Sequence, residues 1–239
     1  MAVKLGVPSK GRLMEQTFDW FAARDVRLTR TGAAREYAAE VEGVAGLELV
    51  LLSASEIPRE LAAGRVHLGV TGSDLVREEL ADWSAQVVEL ALMGFGHADL
   101  IVAVPKAWVD VETLDDLDAV ASRFRAAHGF RLRIATKYHR LVREYLRAHG
   151  VADYQLVDSQ GATEGTVKNL TAEAIADITS TGETLRANHL KILADAPVHR
   201  SQATVFASRR ADWNGKGPVL RAVLTKLDMA VPPELSQML

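Results

Sequence analysis

The stretch Ala176-Asp177-Ile178-Thr179-Ser180-Thr181-Gly182-Glu183-Thr184-Leu185 carries an apolar strand into an acidic residue, then into a run of hydroxyls around one glycine. Small hydroxyl side chains and glycine let backbone N–H groups converge on an anion, and Thr184-Leu185 can begin a helix whose N-terminus favours negative charge. One such terminus contributes only about 0.3–1 kcal/mol to an exposed charge. Affinity for a phosphate would have to come from several donors together, and Thr179, Ser180, Thr181 and Thr184 supply them. Asp177, just before the loop, suits a second task, because a carboxylate can accept hydrogen bonds from two neighbouring ribose hydroxyls. Spacing alone leaves two readings open: a reader of ribose phosphate, or a capped strand-to-helix turn with no ligand.

Working outward, short apolar runs alternate with helix-period segments along most of the chain. Strands are expected at 4–7, 47–52, 66–70, 87–92, 100–104, 132–135, 154–157 and 175–178. Helices are expected at 13–23, 57–63, from about Leu114, at 138–148 and from Pro218. That rhythm is the mark of mostly parallel sheets covered by helices, an α/β fold. Glycine-bearing stretches at Met93-Gly-Phe-Gly-His97 and Ser180-Thr-Gly182 are each able to carry a crossing between two lobes. The expected organisation is a discontinuous lobe I of residues 1–94 and 187–239, and a lobe II of residues 95–186 holding the hydroxyl loop. A cleft between two such lobes is where ligands collect in this architecture.

Cysteine is absent from the 239 residues, which removes disulfides, thiolate nucleophiles and cysteine-built zinc sites together. The start, Met1-Ala-Val-Lys-Leu-Gly-Val-Pro8, enters a strand-like run at once, with no export signal. No run reaches the roughly 18 apolar residues of a membrane span. A cytoplasmic protein without membrane association is therefore expected. The formal net charge of −3 argues against general nucleic-acid binding, so phosphates must be met by a few placed groups.

Four segments then resemble, in order and spacing, those of the ATP phosphoribosyltransferase family. They are Val7-Pro-Ser-Lys-Gly-Arg-Leu13, Gly69-Val-Thr-Gly-Ser-Asp74, Arg133-Ile-Ala-Thr-Lys-Tyr138, and Asp177 to Leu185 with the following Arg186-Ala-Asn-His-Leu190. The likeness runs from about residue 4 to about residue 225. It implies a two-lobed fold like that of type II periplasmic binding proteins. The reaction implied is transfer of phosphoribosyl from phosphoribosyl pyrophosphate to N1 of ATP, with Mg²⁺ and release of pyrophosphate, as the first step of histidine biosynthesis. The chain stops where longer members continue into a regulatory domain, so it is similar to the short form. That form implies a homodimer within a hetero-oligomer, with a regulatory subunit resembling histidyl-tRNA synthetase.

By the resemblance, Lys10, Arg12 and Asp177 carry the catalysis. Glu164, Asp177, Thr179, Ser180, Thr181, Gly182, Glu183 and Thr184 hold phosphoribosyl pyrophosphate. Lys10, Gly11, Arg12, Thr71, Gly72, Asp74, Lys137 and Tyr138 hold ATP, and Mg²⁺ is bound mainly through substrate phosphates. Without the match, Lys10 to Arg12 read as a solvated turn, Asp74 as a cap and Tyr138 as a packing residue. Histidines 97, 139 and 189 form no ligand set by spacing and read as structural. The chain departs from the family at Ser53, where an arginine is usual, with Arg30, Arg35 or Arg59 as the compensating candidates. It departs again at Thr166, Val167, Leu170 and Glu173, and at Ala98 in place of a frequent cysteine. The alternatives are a two-lobed small-molecule binding protein and a phosphoribosyltransferase for another base.

Overall fold

A computed structural model describes residues 2–30, 39–159 and 161–238; Arg35 lies outside them. The chain opens with β1 (Val3–Pro8), α1 (Gly11–Ala22), β2 (Arg27–Arg30), β3 (Ala39–Glu42), β4 (Leu47–Leu52), α2 (Ile57–Ala62), β5 (Leu68–Gly72), α3 (Ser73–Glu79), α4 (Trp83–Gln86) and β6 (Val87–Leu92). It continues through β7 (Ala98–Pro105), α5 (Leu114–His128), β8 (Leu132–Thr136), α6 (His139–Ala148), β9 (Tyr154–Asp158), α7 (Gly165–Lys168), β10 (Ala174–Thr179), α8 (Glu183–Ala187), β11 (Leu190–Ile192) and β12 (His199–Ser201). It closes with β13 (Ala203–Ser208), α9 (Gly217–Lys226) and α10 (Pro233–Ser236).

These elements form two compact units, residues 1–96 with 202–239, and residues 97–201. The first crossing falls at Gly96, inside the glycine stretch expected to carry one. The second does not fall at Ser180 to Gly182, nor does the return lie at 186/187. Residues 187–201 stay with the second unit because β11 and β12 both pair with β7. The reason is local: two three-residue strands carry too little periodicity to be read, while the glycine at 182 invites a break.

The first unit is built on the sheet β4-β1-β5-β13-β6, and the second on β11-β7-β10-β8-β9 with β12 also on β7. In each, among the described residues, a single strand runs against all the others: β13 against β5 and β6, and β7 against β10, β11 and β12. Both opposed strands begin where the chain has just crossed between units. They are also among the most thoroughly buried, with all six residues of β13 and Leu100 to Val104 of β7 in the core. A strand covered on both faces reads as a continuous apolar run, and β1 shows the same pattern, exposing only Lys4.

Helices cover these sheets where the pattern demands. In α6, Val142 and Leu146 are fully buried four residues apart, and each such side chain contributes about 1.5–3 kcal/mol by leaving water. The start of α5 is fixed by a reciprocal cap: the Asp116 N–H donates to the Thr113 hydroxyl, and Asp116 Oδ2 accepts from the Thr113 N–H at 2.9 Å. Two polar pins hold the units from within. In the second unit, Arg133 donates its main-chain N–H to Glu173 Oε2 at 2.8 Å and forks its guanidinium onto the same carboxylate. Burial works to raise the Glu173 pKa, but the Arg133 hydrogen bonds outweigh it and hold the carboxyl below its ordinary value.

In the first unit the pin is His67, with its ring edge against Trp213. Its Nδ1 accepts from the Lys4 N–H at 3.1 Å, and its Nε2–H donates to the Asp212 carbonyl, also at 3.1 Å. Nδ1 therefore faces a donor, which suits the neutral ring. Burial lowers the His67 pKa; the Asp212 carbonyl opposes this and the neighbouring charges of Lys216 and Lys4 reinforce it. Lys216, itself buried, donates to the same Asp212 carbonyl at 2.5 Å.

Candidate active site

In the second unit β10, β8 and β9 are adjacent and parallel, so their C-terminal ends share one edge of the sheet. That edge gathers the turn 136–138, residues 158–159 and 161–164, and the loop 179–184. Ligands collect at such an edge because the strand ends splay and the following helices point their first turns at it.

The loop uses its hydroxyl oxygens internally and keeps most of its protons. The Thr179 hydroxyl accepts from the Gly182 N–H at 2.9 Å, and the Thr181 hydroxyl accepts from the Glu183 N–H at 3.4 Å. Both therefore retain an O–H to donate outward. Among the described residues, the Thr184 hydroxyl and the N–H groups of Thr181, Thr184 and Leu185 meet no partner. Gly182 sits at φ +69°, the left-handed region that favours glycine, and this turn aims the chain into α8. Ser180 departs from expectation: its hydroxyl donates to the His97 carbonyl at 2.9 Å, so its proton is spent within the protein. Half-buried Asp177 accepts the Ile178 N–H on Oδ1 at 2.8 Å, which leaves Oδ2 for another donor.

Beside this loop Lys137 is exposed, its ammonium 5.1 Å from the Tyr138 ring centroid. Tyr138 is only 1% exposed, so its ring is packed within the unit rather than presented for stacking. The turn is held by the Tyr138 N–H donating to the buried Thr136 hydroxyl at 2.9 Å. Glu164 is half-buried at the start of α7. One pairing escaped the sequence reading. His139 Nε2 lies 3.4 Å from Asp158 Oδ1, joining the ends of β8 and β9. Nineteen positions separate the two residues, and nothing in their spacing signals the pair before β8 and β9 are known to be neighbours.

In the first unit β4, β1 and β5 are likewise parallel neighbours, and the turns after them share an edge. The Ser9 N–H donates to the Leu52 carbonyl at 2.7 Å, Lys10 is extended, and Gly11 turns at φ +76° into α1. Lys10, Gly11 and Arg12 are all exposed, and among the described residues neither cation has an ion-pair partner. Thr71 is the contrary case. It is fully buried, and its hydroxyl donates to the Ala54 carbonyl at 2.8 Å, tying β5 to the turn after β4. Asp74 is also buried at the head of α3, as a structural residue would be, whereas Gly72 stays half-exposed at the cap.

At Ser53 the turn is closed by a carboxylate. The Ser53 N–H and hydroxyl both donate to Glu56 Oε2, at 2.9 and 2.8 Å, and the N–H chiefly holds the Glu56 carboxyl below its ordinary value. Of the compensating candidates, Arg59 is paired with Glu79 at 2.7 Å and Arg30 ends β2. His97 and His189 are exposed. Among the described residues no cluster of three or more His, Asp or Glu is placed to hold a metal ion.

The family model described as ATP phosphoribosyltransferase matches residues 53–228. The chain belongs to that family. The ATP phosphoribosyltransferase of Cereibacter sphaeroides is 73% identical over 236 residues, spanning 99% of this chain and 100% of its own length. That of Mesorhizobium japonicum is 50% identical over 230 residues, spanning 96% and 99%. Among solved structures, the ATP phosphoribosyl transferase (HisG:HisZ) complex from Thermotoga maritima shares the fold with a TM-score of 0.70 and 21% identity, over 95% of this chain and 96% of that one. The substrate-binding protein of an amino acid ABC transporter matches with a TM-score of 0.50 and 16% identity, over 99% and 94%, which places the type II binding-protein architecture beside it. As a member of this family the chain is a pentosyltransferase.

Proposed function

We infer that this chain moves the phosphoribosyl group of phosphoribosyl pyrophosphate onto N1 of ATP and releases pyrophosphate, the entry step of histidine biosynthesis. The observation that carries the site assignment is the loop 179–184: hydroxyl protons and main-chain N–H groups without internal acceptors, immediately after a carboxylate with one free oxygen.

In this reading Asp177 Oδ2 receives the ribose hydroxyls and fixes the ring. The hydroxyls of Thr179, Thr181 and Thr184 and the N–H groups of Thr181, Thr184 and Leu185 take the phosphate on the sugar. Charge on the departing pyrophosphate grows as the C1–O bond lengthens, so cations that hold it more tightly then than before lower the barrier. Lys137 in the second unit, and Lys10 and Arg12 in the first, are exposed cations suited to substrate phosphates. Gly11 and Gly72 allow close approach of nucleotide to backbone. Thr71, Asp74 and Tyr138 serve by supporting the turns from beneath. Mg²⁺, when bound, would neutralise pyrophosphate charge; Glu164 and Asp177 are the carboxylates of the loop edge able to reach it or its waters.

The short-form reading extends to a regulatory subunit resembling histidyl-tRNA synthetase, around a homodimer of this chain; the Thermotoga neighbour is itself a complex of two named components. Among the described residues no helix is long and apolar enough to cross a membrane, and we place the enzyme in the cytoplasm. The test is pyrophosphate release from ATP plus phosphoribosyl pyrophosphate, with and without the regulatory subunit. Release with ATP supports the assignment. Release only with a different base as acceptor would move the chain to another phosphoribosyltransferase activity.

A further inference from the structure

Arg186 has no part in the roles assigned so far. It lies on α8, and its side chain turns back along the loop. A terminal guanidinium nitrogen stands 3.1 Å from the point that a Cβ on Gly182 would occupy. A Cβ at 182 would press on it and make it give by a few tenths of an ångström, so the glycine serves both the turn and the lie of this arginine. Among the described residues no carboxylate pairs with Arg186 and no acceptor receives its side-chain N–H groups, although Glu183 is only three positions away. A cation with five donors is thus laid over a loop whose other free groups are also donors. Among the described residues nothing supplies the acceptor they share.

We propose that Arg186 binds the 5-phosphate of the phosphoribosyl group, closing over a loop whose hydroxyls take the same phosphate from beneath. The inference rests on the loop reading given above. A planar guanidinium can present two parallel N–H groups to a phosphate, which a lysine cannot do. The choice between the two phosphate ends of the substrate follows from Asp177. That carboxylate precedes the loop on the same strand and takes the ribose hydroxyls, so the groups that follow it meet the sugar's own phosphate ester. Arg186 then holds a group that is present in substrate and product alike and is untouched by the bond cleavage. Its contribution is uniform binding, read in KM more than in kcat.

The test is titration of the full-length protein with ribose 5-phosphate and, separately, with inorganic pyrophosphate. Arg186→Gln is expected to weaken ribose 5-phosphate by about tenfold or more, as for loss of a charged hydrogen-bond partner. Pyrophosphate affinity stays as in the parent, and Arg186→Lys recovers part of the loss. Because Arg186 is exposed, Tm should not move. Unchanged ribose 5-phosphate affinity in Arg186→Gln, or a loss confined to pyrophosphate, overturns the proposal. Thr184→Ala run in parallel separates the two layers. If it loses ribose 5-phosphate while Arg186→Gln does not, the arginine is wrong and the loop stands. If neither loses it, the loop reading has fallen as well.

Discussion

The turns at the ends of β5 and β10 look alike in sequence, each with a Thr-Gly step, 71–72 and 181–182, just before a short helix, and the structure treats them in opposite ways. Thr71 sits fully buried with its proton given to the Ala54 carbonyl, while Thr184 is exposed with a free hydroxyl, and Thr179 and Thr181 keep theirs for an outside acceptor. One set of hydroxyls holds the fold and the other is left over for a ligand. Residue type does not separate them; the destination of the proton does.

The comparison can be broken most directly by substitution on both sides. Asp177→Ala should lower turnover by about a hundredfold or more, the scale seen when a group that orients the reacting centre is removed, whereas Thr184→Ala should act on KM for phosphoribosyl pyrophosphate, raising it by about tenfold. Tm should barely change for either. A large fall in Tm with specific activity intact would place Thr184 with Thr71. On the other side, Thr71→Val leaves the Ala54 carbonyl without its donor and should cost about 1–3 kcal/mol of stability in denaturant unfolding. Activity per folded molecule should survive it. Loss of ATP binding at unchanged stability would return Thr71 to the substrate site. Gly182→Ala should cost about 1–2 kcal/mol, the usual penalty of the left-handed region for a side chain, and should in addition weaken ribose 5-phosphate binding by straining the loop beneath Arg186.

Smaller effects should sort the two units by pH. The His67 pKa is lowered in the folded state, so the unfolded chain takes up a proton first. The first unit therefore loses stability as pH falls from about 6.5, the ordinary histidine value, toward the folded value. The carboxyl of Glu173 is also lowered, so the stability it lends the second unit is complete above about 4.3, the ordinary glutamate value, and fades as pH falls through the folded value. Unfolding followed by hydrogen exchange across that range should show the first unit opening before the second. His67→Asn should flatten the upper part of the profile and Glu173→Gln the lower. A single shared transition with no change in either variant would remove both pins from the account.

Much of the architecture could be read beforehand because helix and strand periods differ, and the runs at 47–52 and 87–92 are bounded as expected. Strand β13 was not read. Ala203 to Ser208 mixes small and polar residues, and their complete burial comes from a central place in the sheet that no local pattern reveals. The loop 179–184 was legible because glycine and hydroxyls carry local chemistry. The fates of Thr71, Asp74 and Tyr138 were not, since burial depends on what a distant segment brings to cover them. His139 and Asp158 meet only through strand pairing, and Arg186 is informative only through the space above Gly182.

The opposed strand β13 has a consequence for how the molecule is made. It lies between β5 and β6, so a gap in the first sheet waits for residues that emerge only after the whole second unit, whereas residues 97–201 arrive as one uninterrupted piece. A chain halted at Ser201 should resist protease across that piece and be cut freely within residues 1–96. The unit begun first is finished last.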